Sequence, residues 1–192
     1  MKRLILTILI LILMSVPVYG NDFNDGLEAY KRKNYKEAVR LWLPVAEQGY
    51  SPAQSNLGLM YQNGQGVPQD YKEAIKWFKR SAEQGTDSGQ YGLGQMYDFG
   101  QGVPQDYKEA VKWYRLAAEQ GLSPAQYNLG VMYWQGIGVM QDYVLAHMWF
   151  NLSGSNGNKN GVEGREMADK KMSPLQIEKA QEMAREWMEE NK

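Results

Sequence analysis

Side chains able to attack a substrate, shuttle protons or hold a metal are scarce in this sequence of 192 residues. His147 is the only histidine, and there is no cysteine. A single histidine leaves no room for a histidine-based zinc site, and a Ser-His-Asp arrangement, which would have to be built on that one residue, is not expected. No serine is followed by lysine three residues on, and no Lys-Thr-Gly occurs, so the serine β-lactamase arrangement is missing. The pairs Gly64 and Gly66, Gly100 and Gly102, and Gly136 and Gly138 lack a preceding strand and a following Lys-Ser or Lys-Thr. They read as connectors and not as a phosphate cradle. Asp22, Asn24 and Asp25 before Gly26 resemble the opening of a calcium loop. Their spacing is one residue out and the twelfth position carries no glutamate, so a flexible N-terminal segment is expected there. What remains abundant is the chemistry of binding, in 13 tyrosines, 6 tryptophans and 4 phenylalanines. The expectation is a protein that binds without catalysing, with no cofactor and no metal.

The residues that could bind recur in register. Tyr35-Lys-Glu-Ala returns as Tyr71-Lys-Glu-Ala and Tyr107-Lys-Glu-Ala, then in degenerate form as Tyr143-Val-Leu-Ala, each step 36 residues long. Residues 35–70 and 107–142 agree at 23 of 36 positions. A fixed period of this length marks a solenoid, in which each unit buries its apolar face against the next. The units are 35–70, 71–106 and 107–142, with a degenerate one from 143. Trp77, Trp113 and Trp149 share one register with Leu41, and Tyr61, Tyr97 and Tyr133 share another. Identity repeated at a fixed register is expected to be core. His147 stands where Val39, Ile75 and Val111 stand, so a packed or rim histidine is expected as well.

Each unit reads as two helices. Asp70 and Asp106 precede a first helix as N-caps, with Glu73 and Glu109 three residues on as in a capping box. The spacing Tyr71, Ala74, Ile75, Phe78, Ala82 then supplies an apolar face. Gly49, Gly85 and Gly121 stop this helix in the left-handed C′ conformation. Ser51-Pro-Ala-Gln54 and Ser123-Pro-Ala-Gln126, with Asp87 and Gln90 between them, open a second helix on a cap serine and an N1 proline. Its stripe is Leu57, Met60 and Tyr61 and their equivalents Leu93, Met96, Tyr97 and Leu129, Met132, Tyr133. Gly58, Gly94 and Gly130 fall inside the second helices, where each costs ~1 kcal/mol against alanine. Close approach of two helix backbones is the expected compensation.

The ends differ. Residues 1–20 hold Lys2 and Arg3, an apolar run from Leu4 to Met14 broken by Thr7, and the small residues Val18 and Gly20, a signal-peptide pattern with cleavage expected after Gly20. As an uncleaved anchor the run is short for a ~30 Å hydrocarbon core. Residues 21–34 are expected to form an N-terminal cap, helical over 25–33 with Leu27 and Tyr30 inward, and Pro44 is expected to kink the helix after it. Residues 153–164, rich in Gly, Asn and Ser, read as a long loop before a weak helix near 166–171. Ser173-Pro-Leu-Gln176 then opens a terminal helix striped by Ile177, Ala180, Ala184, Trp187 and Met188, so that 158–192 form a degenerate repeat and a cap. The formal net charge of −1 gives no electrostatic footprint for nucleic acid. Membrane association is expected only through residues 1–20, if they stay attached.

The stretches AQYNLGVMYWQGIGV, from Ala125, and YKEAIKWFKRSAEQG, from Tyr71, closely resemble the Sel-1-like repeat family, relatives of tetratricopeptide repeats. The likeness covers residues 26–157, with a decayed terminal repeat over 146–187. It implies an all-α fold, a right-handed α-α superhelix or solenoid, serving as an adaptor between proteins and often exported in bacteria. Some exported relatives are cysteine-rich and are described as binding or cleaving penicillin-type compounds, a trait this cysteine-free chain departs from. By the likeness to tetratricopeptide repeats, the positions that vary between units on the second helices match those lining a concave groove. They are Ser55, Leu59, Gln62 and Asn63 in the first unit, then Tyr91, Gln95, Asp98 and Phe99, then Tyr127, Val131, Trp134 and Gln135. A protein or peptide partner held there is the leading expectation, and a cell-wall glycan or penicillin-type ligand the second.

Overall fold

The 36-residue period is realised as paired helices of 13 residues, each closed by the residue types that end helices. A computed structural model of the chain describes residues 19–191. The expected signal peptide lies outside these residues, except that residues 19 and 20 open the first helix. The described residues form α1 (Tyr19–Lys31), α2 (Tyr35–Glu47), α3 (Ser51–Asn63), α4 (Tyr71–Glu83) and α5 (Asp87–Phe99). They continue as α6 (Tyr107–Glu119), α7 (Ser123–Gln135), α8 (Tyr143–Ser155), α9 (Lys159–Asp169) and α10 (Pro174–Glu190), with no strand among them. Consecutive helices pack on one another as far as α9, and α10 lies back across α8. This is the all-α solenoid that the period implied.

Local chemistry explains most boundaries. Asp70 and Asp106 each accept the amides two and three residues on, satisfying donors that a helix start leaves unpaired. Their glutamates do not complete capping boxes. Glu73 pairs with Lys76 at 3.0 Å and Glu109 with Lys112 at 3.2 Å, and the reciprocal box forms at Ser173 and Gln176. The second helices begin one residue earlier than their serines suggested, with Tyr50, Thr86 and Leu122 at the cap and no side-chain cap bond. Gly49, Gly85 and Gly121 hold φ of 102°, 82° and 87°, the left-handed geometry expected of them. Residue 44 leaves α2 continuous from Tyr35 to Glu47. Asp22, Asn24 and Asp25 lie within α1, so neither a calcium loop nor a flexible segment forms there.

The glutamines that looked like helix-start devices instead join one repeat to the next. Gln54, Gln90 and Gln126 are buried. Gln54 donates to the Ala46 carbonyl at 2.9 Å and accepts from Gln84 at 2.8 Å. Gln90 accepts from Gln120 at 2.7 Å, while Gln126 donates to the Ala118 carbonyl at 3.2 Å and accepts from Asn156 at 3.2 Å. Buried amides are costly unless both ends are paired, so the ladder favours one stacking register over its neighbours.

The helical glycines answer to a ring and not to a backbone. Trp42, Phe78, Tyr114 and Phe150 occupy one register on α2, α4, α6 and α8, and all are buried. A Cβ on Gly58 would lie 2.5 Å from Phe78, one on Gly94 would lie 2.5 Å from Tyr114, and one on Gly130 would lie 2.7 Å from Phe150. Each glycine is a notch into which the next unit's aromatic ring seats. The tryptophan register is buried at Trp77 and Trp149 and half-buried at Trp113, over which Lys112 lies 5.4 Å from the ring centre.

Backbones do approach closely at the C-terminal end. Residues 153–164 form no long loop: α8 runs on to Ser155, Asn158 caps α9 through the Asn160 amide at 3.0 Å, and α9 starts at Lys159. A Cβ on Gly161 would lie 2.6 Å from the Gly154 nitrogen, and one on Gly164 would lie 2.7 Å from Phe150. The small residues that suggested a loop are there to let α8 and α9 touch. Ser153 is buried and donates to the Ser123 carbonyl at 2.8 Å.

His147 is fully buried, with Nε2 3.0 Å from Asp169 on α9 and Nδ1 without a hydrogen bond. Burial pulls its pKa below the ordinary histidine value, Asp169 opposes this, and Arg165 adds to the lowering. Below about pH 6.5 the unfolded chain takes up a proton that the folded site resists, so stability falls as pH drops through that value. The melting temperature should therefore decline between pH 7 and pH 5 in the wild type, and less steeply in His147→Val. Parallel declines in the two proteins would show that His147 is not the group responsible.

Candidate functional site

The varied positions of the second helices project from α3, α5 and α7, and the structure gathers some of them more tightly than others. A cleft of about 290 Å³ is lined by Ser55, Asn56 and Leu59 on α3, by Ser88, Tyr91, Gly92 and Gln95 on α5, by Phe78 on α4, and by Leu122 and Pro124 at the start of α7. Leu59 is 37% exposed, large for an aliphatic side chain in a folded domain. The cleft exists because α3 and α5 are in direct contact along their second-helix faces while the chain turns into α7 at Leu122.

Three aromatic side chains of the varied set are half-buried, each in tilted contact with a second ring. Tyr91 lies on Tyr114 with ring centres 5.7 Å apart, Tyr127 lies on Phe150 at 5.7 Å, and Trp134 lies on Tyr143 at 4.8 Å. Each ring thus rests on an aromatic side chain of the following first helix, which limits its rotamers before any ligand arrives. Gln95 donates to the Tyr91 hydroxyl at 3.3 Å, and Asp98, half-buried, accepts from the Tyr114 hydroxyl at 3.0 Å. Val131 is also half-buried.

The remaining positions behave differently. Ser55 is buried, and its hydroxyl is committed to Ser81 at 2.6 Å and to the Ser51 carbonyl at 3.2 Å, so it belongs to the frame as much as to the cleft. Gln62 reaches the next connector, donating to Gln101 at 3.2 Å. Asn63, Phe99 and Gln135 are exposed at the C-terminal ends of their helices, outside the cleft, with Phe99 61% exposed.

Sequence reasoning passed over Tyr114 and Asn128. Tyr114 differs from its register mates Phe78 and Phe150 by one hydroxyl. Fourteen residues on from Trp42, Phe78, Tyr114 and Phe150 stand Asn56, Gly92, Asn128 and Gly164, so an amide and not a glycine follows the tyrosine. Burial is the larger influence on the Tyr91 and Tyr114 hydroxyls, and Asn128 beside them opposes it. Burial pushes both tyrosine pKa values up. Burial also raises that of Asp98, which the Tyr114 hydrogen bond partly offsets.

A second hollow, of about 420 Å³, lies between α1 and α2. Its rim pairs Arg40 with Glu37 at 2.6 Å and Arg32 with Glu28 at 3.9 Å, with Glu37 half-buried and the other three exposed to solvent. Such ion pairs satisfy one another in water and leave little charge to recognise a ligand. No described helix is long and apolar enough to cross a membrane, and no group of three or more metal-ligating side chains occurs among the described residues.

Comparison with known proteins agrees with this architecture. Residues 23–50, 51–86, 87–122 and 123–158 each match the Sel1 repeat, which counts the unit from the start of the second helix. Among curated proteins none matches the chain. The crystal structure of a protective antigen present in uropathogenic Escherichia coli strains, which displays an SLR fold, is similar at 38% identity with a TM-score of 0.76, covering 80% of this chain and 33% of that one. A Sel1 repeat protein from Oxalobacter formigenes is similar at 32% identity with a TM-score of 0.70, covering 76% of this chain and 60% of that one. The chain therefore spans about a third of the first protein and less than two thirds of the second. The Helicobacter pylori cysteine rich protein B, at 19% identity and a TM-score of 0.55 over 68% of this chain, shares the fold. With four matched repeats covering most of its length, the chain belongs to the Sel1 repeat family, whose members typically mediate contacts between proteins and are generally not enzymes.

Proposed function

We propose that the face formed by α3, α5 and α7 is a docking groove for an extended peptide segment of a protein partner. The observation that carries this reading is the convergence of Leu59, Tyr91 and Gln95 on one cleft, continued by half-exposed rings at Tyr127 and Trp134. Rings already held against a neighbouring ring lose little freedom on binding, and aromatic side chains dominate the energy of protein interfaces. The cleft holds Ser55 and Ser88 but no lysine, which leaves a penicillin-type acylation without its usual pair. The charged head, apolar run and small residues of 1–20 favour export, with cleavage after Gly20 and action in the periplasm or outside the cell.

The test is capture of a partner by the tagged protein, compared with Tyr91→Ala, Tyr127→Ala and Trp134→Ala combined. The triple variant should keep its helical circular dichroism and lose about a hundredfold or more in affinity, since single interface anchors often contribute 2 kcal/mol or more. Partner recovery equal to wild type would place the contact elsewhere.

A further inference from the structure

The second helices carry almost no charge. In α3 and α7 there is no charged residue at all, and α5 holds only Asp87 and Asp98. Asp87 lies at the start of α5, where its carboxylate accepts from the amide and hydroxyl of Ser88. Asp98 is different. It falls seven residues after Tyr91 and three after Gln95, so it continues the face that lines the cleft by about one helical turn. The equivalent positions in the flanking units are Gln62 and Trp134, so the carboxylate occurs once along the groove.

No cationic side chain among the described residues answers it. Asp98 accepts one hydrogen bond, from Tyr114, and forms no ion pair with lysine or arginine among the described residues. On the adjoining α6, Lys112 pairs with Glu109, and Arg115 is hydrogen-bonded to the Tyr133 hydroxyl. Asp98 is half-buried, and burial raises its pKa with no cation to offset it. A carboxylate taken partly out of water without a counter-charge is an unfavourable arrangement that a cationic ligand group reverses and a neutral one does not.

We propose that the groove selects a basic segment, in which a lysine or arginine side chain of the partner pairs with Asp98 while neighbouring apolar residues seat between Leu59, Tyr91 and Leu122. This rests on the docking groove proposed above and adds the chemistry of its occupant. The uncharged length of α3 and α7 suits the apolar flanks, and the single acidic point sets the register of the peptide.

The test is selection of a random peptide display library on the full chain at low salt, run in parallel on Asp98→Asn and on the Tyr91, Tyr127 and Trp134 triple alanine variant. Asparagine can still accept the Tyr114 hydroxyl, so the first variant keeps its fold, which an unchanged melting temperature verifies. Wild type should recover peptides with lysine or arginine beside aliphatic or aromatic residues, and Asp98→Asn should recover peptides without that bias. For the strongest peptide, replacing its basic residue by methionine should weaken binding to wild type about tenfold and leave binding to Asp98→Asn unchanged, because a charge-assisted hydrogen bond has been lost in one case only. Peptides without basic enrichment, or a basic peptide that binds Asp98→Asn as tightly as wild type, would overturn the role of Asp98 while the groove itself stands. Equal recovery by the triple variant would overturn the groove, and recovery of no peptide by wild type would overturn both.

Discussion

Phe150→Ala should lower the melting temperature by about 10 °C or more, the equivalent of roughly 3–5 kcal/mol for an emptied aromatic site in a chain of this size. Phe150 is 1% exposed. Its ring is held between Gly130 on α7 and Gly164 on α9, each with room for no Cβ, and Tyr127 lies against it at 5.7 Å. Glycine walls have no side chains that can relax into the space left by the ring, so the cavity persists and the cost falls toward the upper end. Loss should spread along the C-terminal helices, because α8 is the element on which both α9 and α10 pack. Differential scanning calorimetry with near-ultraviolet circular dichroism reads both effects, Trp149 and Trp187 reporting from their edge contact at 6.4 Å. Phe99→Ala, at a ring 61% exposed, serves as the control and should melt as wild type does. A Phe150→Ala protein melting within about 2 °C of wild type, a shift worth no more than ~1 kcal/mol, would show that the ring is not the joint between repeats.

Gly94→Leu tests the same joint from the opposite side. A Cβ at this position would lie 2.5 Å from the Tyr114 ring. The ring cannot swing away cheaply, since Tyr114 is fully buried and its hydroxyl is tied to Asp98 at 3.0 Å. Overpacking of about 3 kcal/mol is set against the ~1 kcal/mol that leucine gains over glycine as a helix former, leaving a net loss of about 2 kcal/mol. That corresponds to a fall of roughly 4–8 °C in melting temperature. Shortening the ring in the double variant Gly94→Leu, Tyr114→Leu should recover part of the loss, because the two side chains share one volume. An unchanged melting temperature in Gly94→Leu alone, or double-variant effects that simply add, would refute the notch.

The period, the helix pairs and most helix ends were legible because they depend on local chemistry. Asp70 and Asp106 cap through bonds to the next few residues, and Gly85 and Gly121 turn the chain where they stand. What the sequence hid was set by contacts between different helices. Gly161 looked like loop because its role is to meet Gly154 on another helix. Gln54 looked like a helix-start residue because Ala46 and Gln84, which it bridges, belong to different helices. The helical glycines pointed correctly to close packing, but nothing local distinguishes a facing backbone from a facing ring. Within the candidate site, comparison of the units singled out Leu59, Tyr91 and Gln95, which the structure brings to one cleft. It also singled out Ser55, whose bond to Ser81 removes it from the variable surface. It passed over Tyr114, which sits on a first helix and enters the site through a hydroxyl that its register mates lack.

The docking groove is tested most directly by inserting a photoreactive residue at Gln95, which lines the cleft, and in a separate chain at Lys79, exposed on the first helix of the same repeat. Each protein is then irradiated in the cell that makes it. A groove on α3, α5 and α7 predicts one protein partner joined at Gln95 and absent at Lys79. A partner joined at Lys79 with none at Gln95 would contradict it.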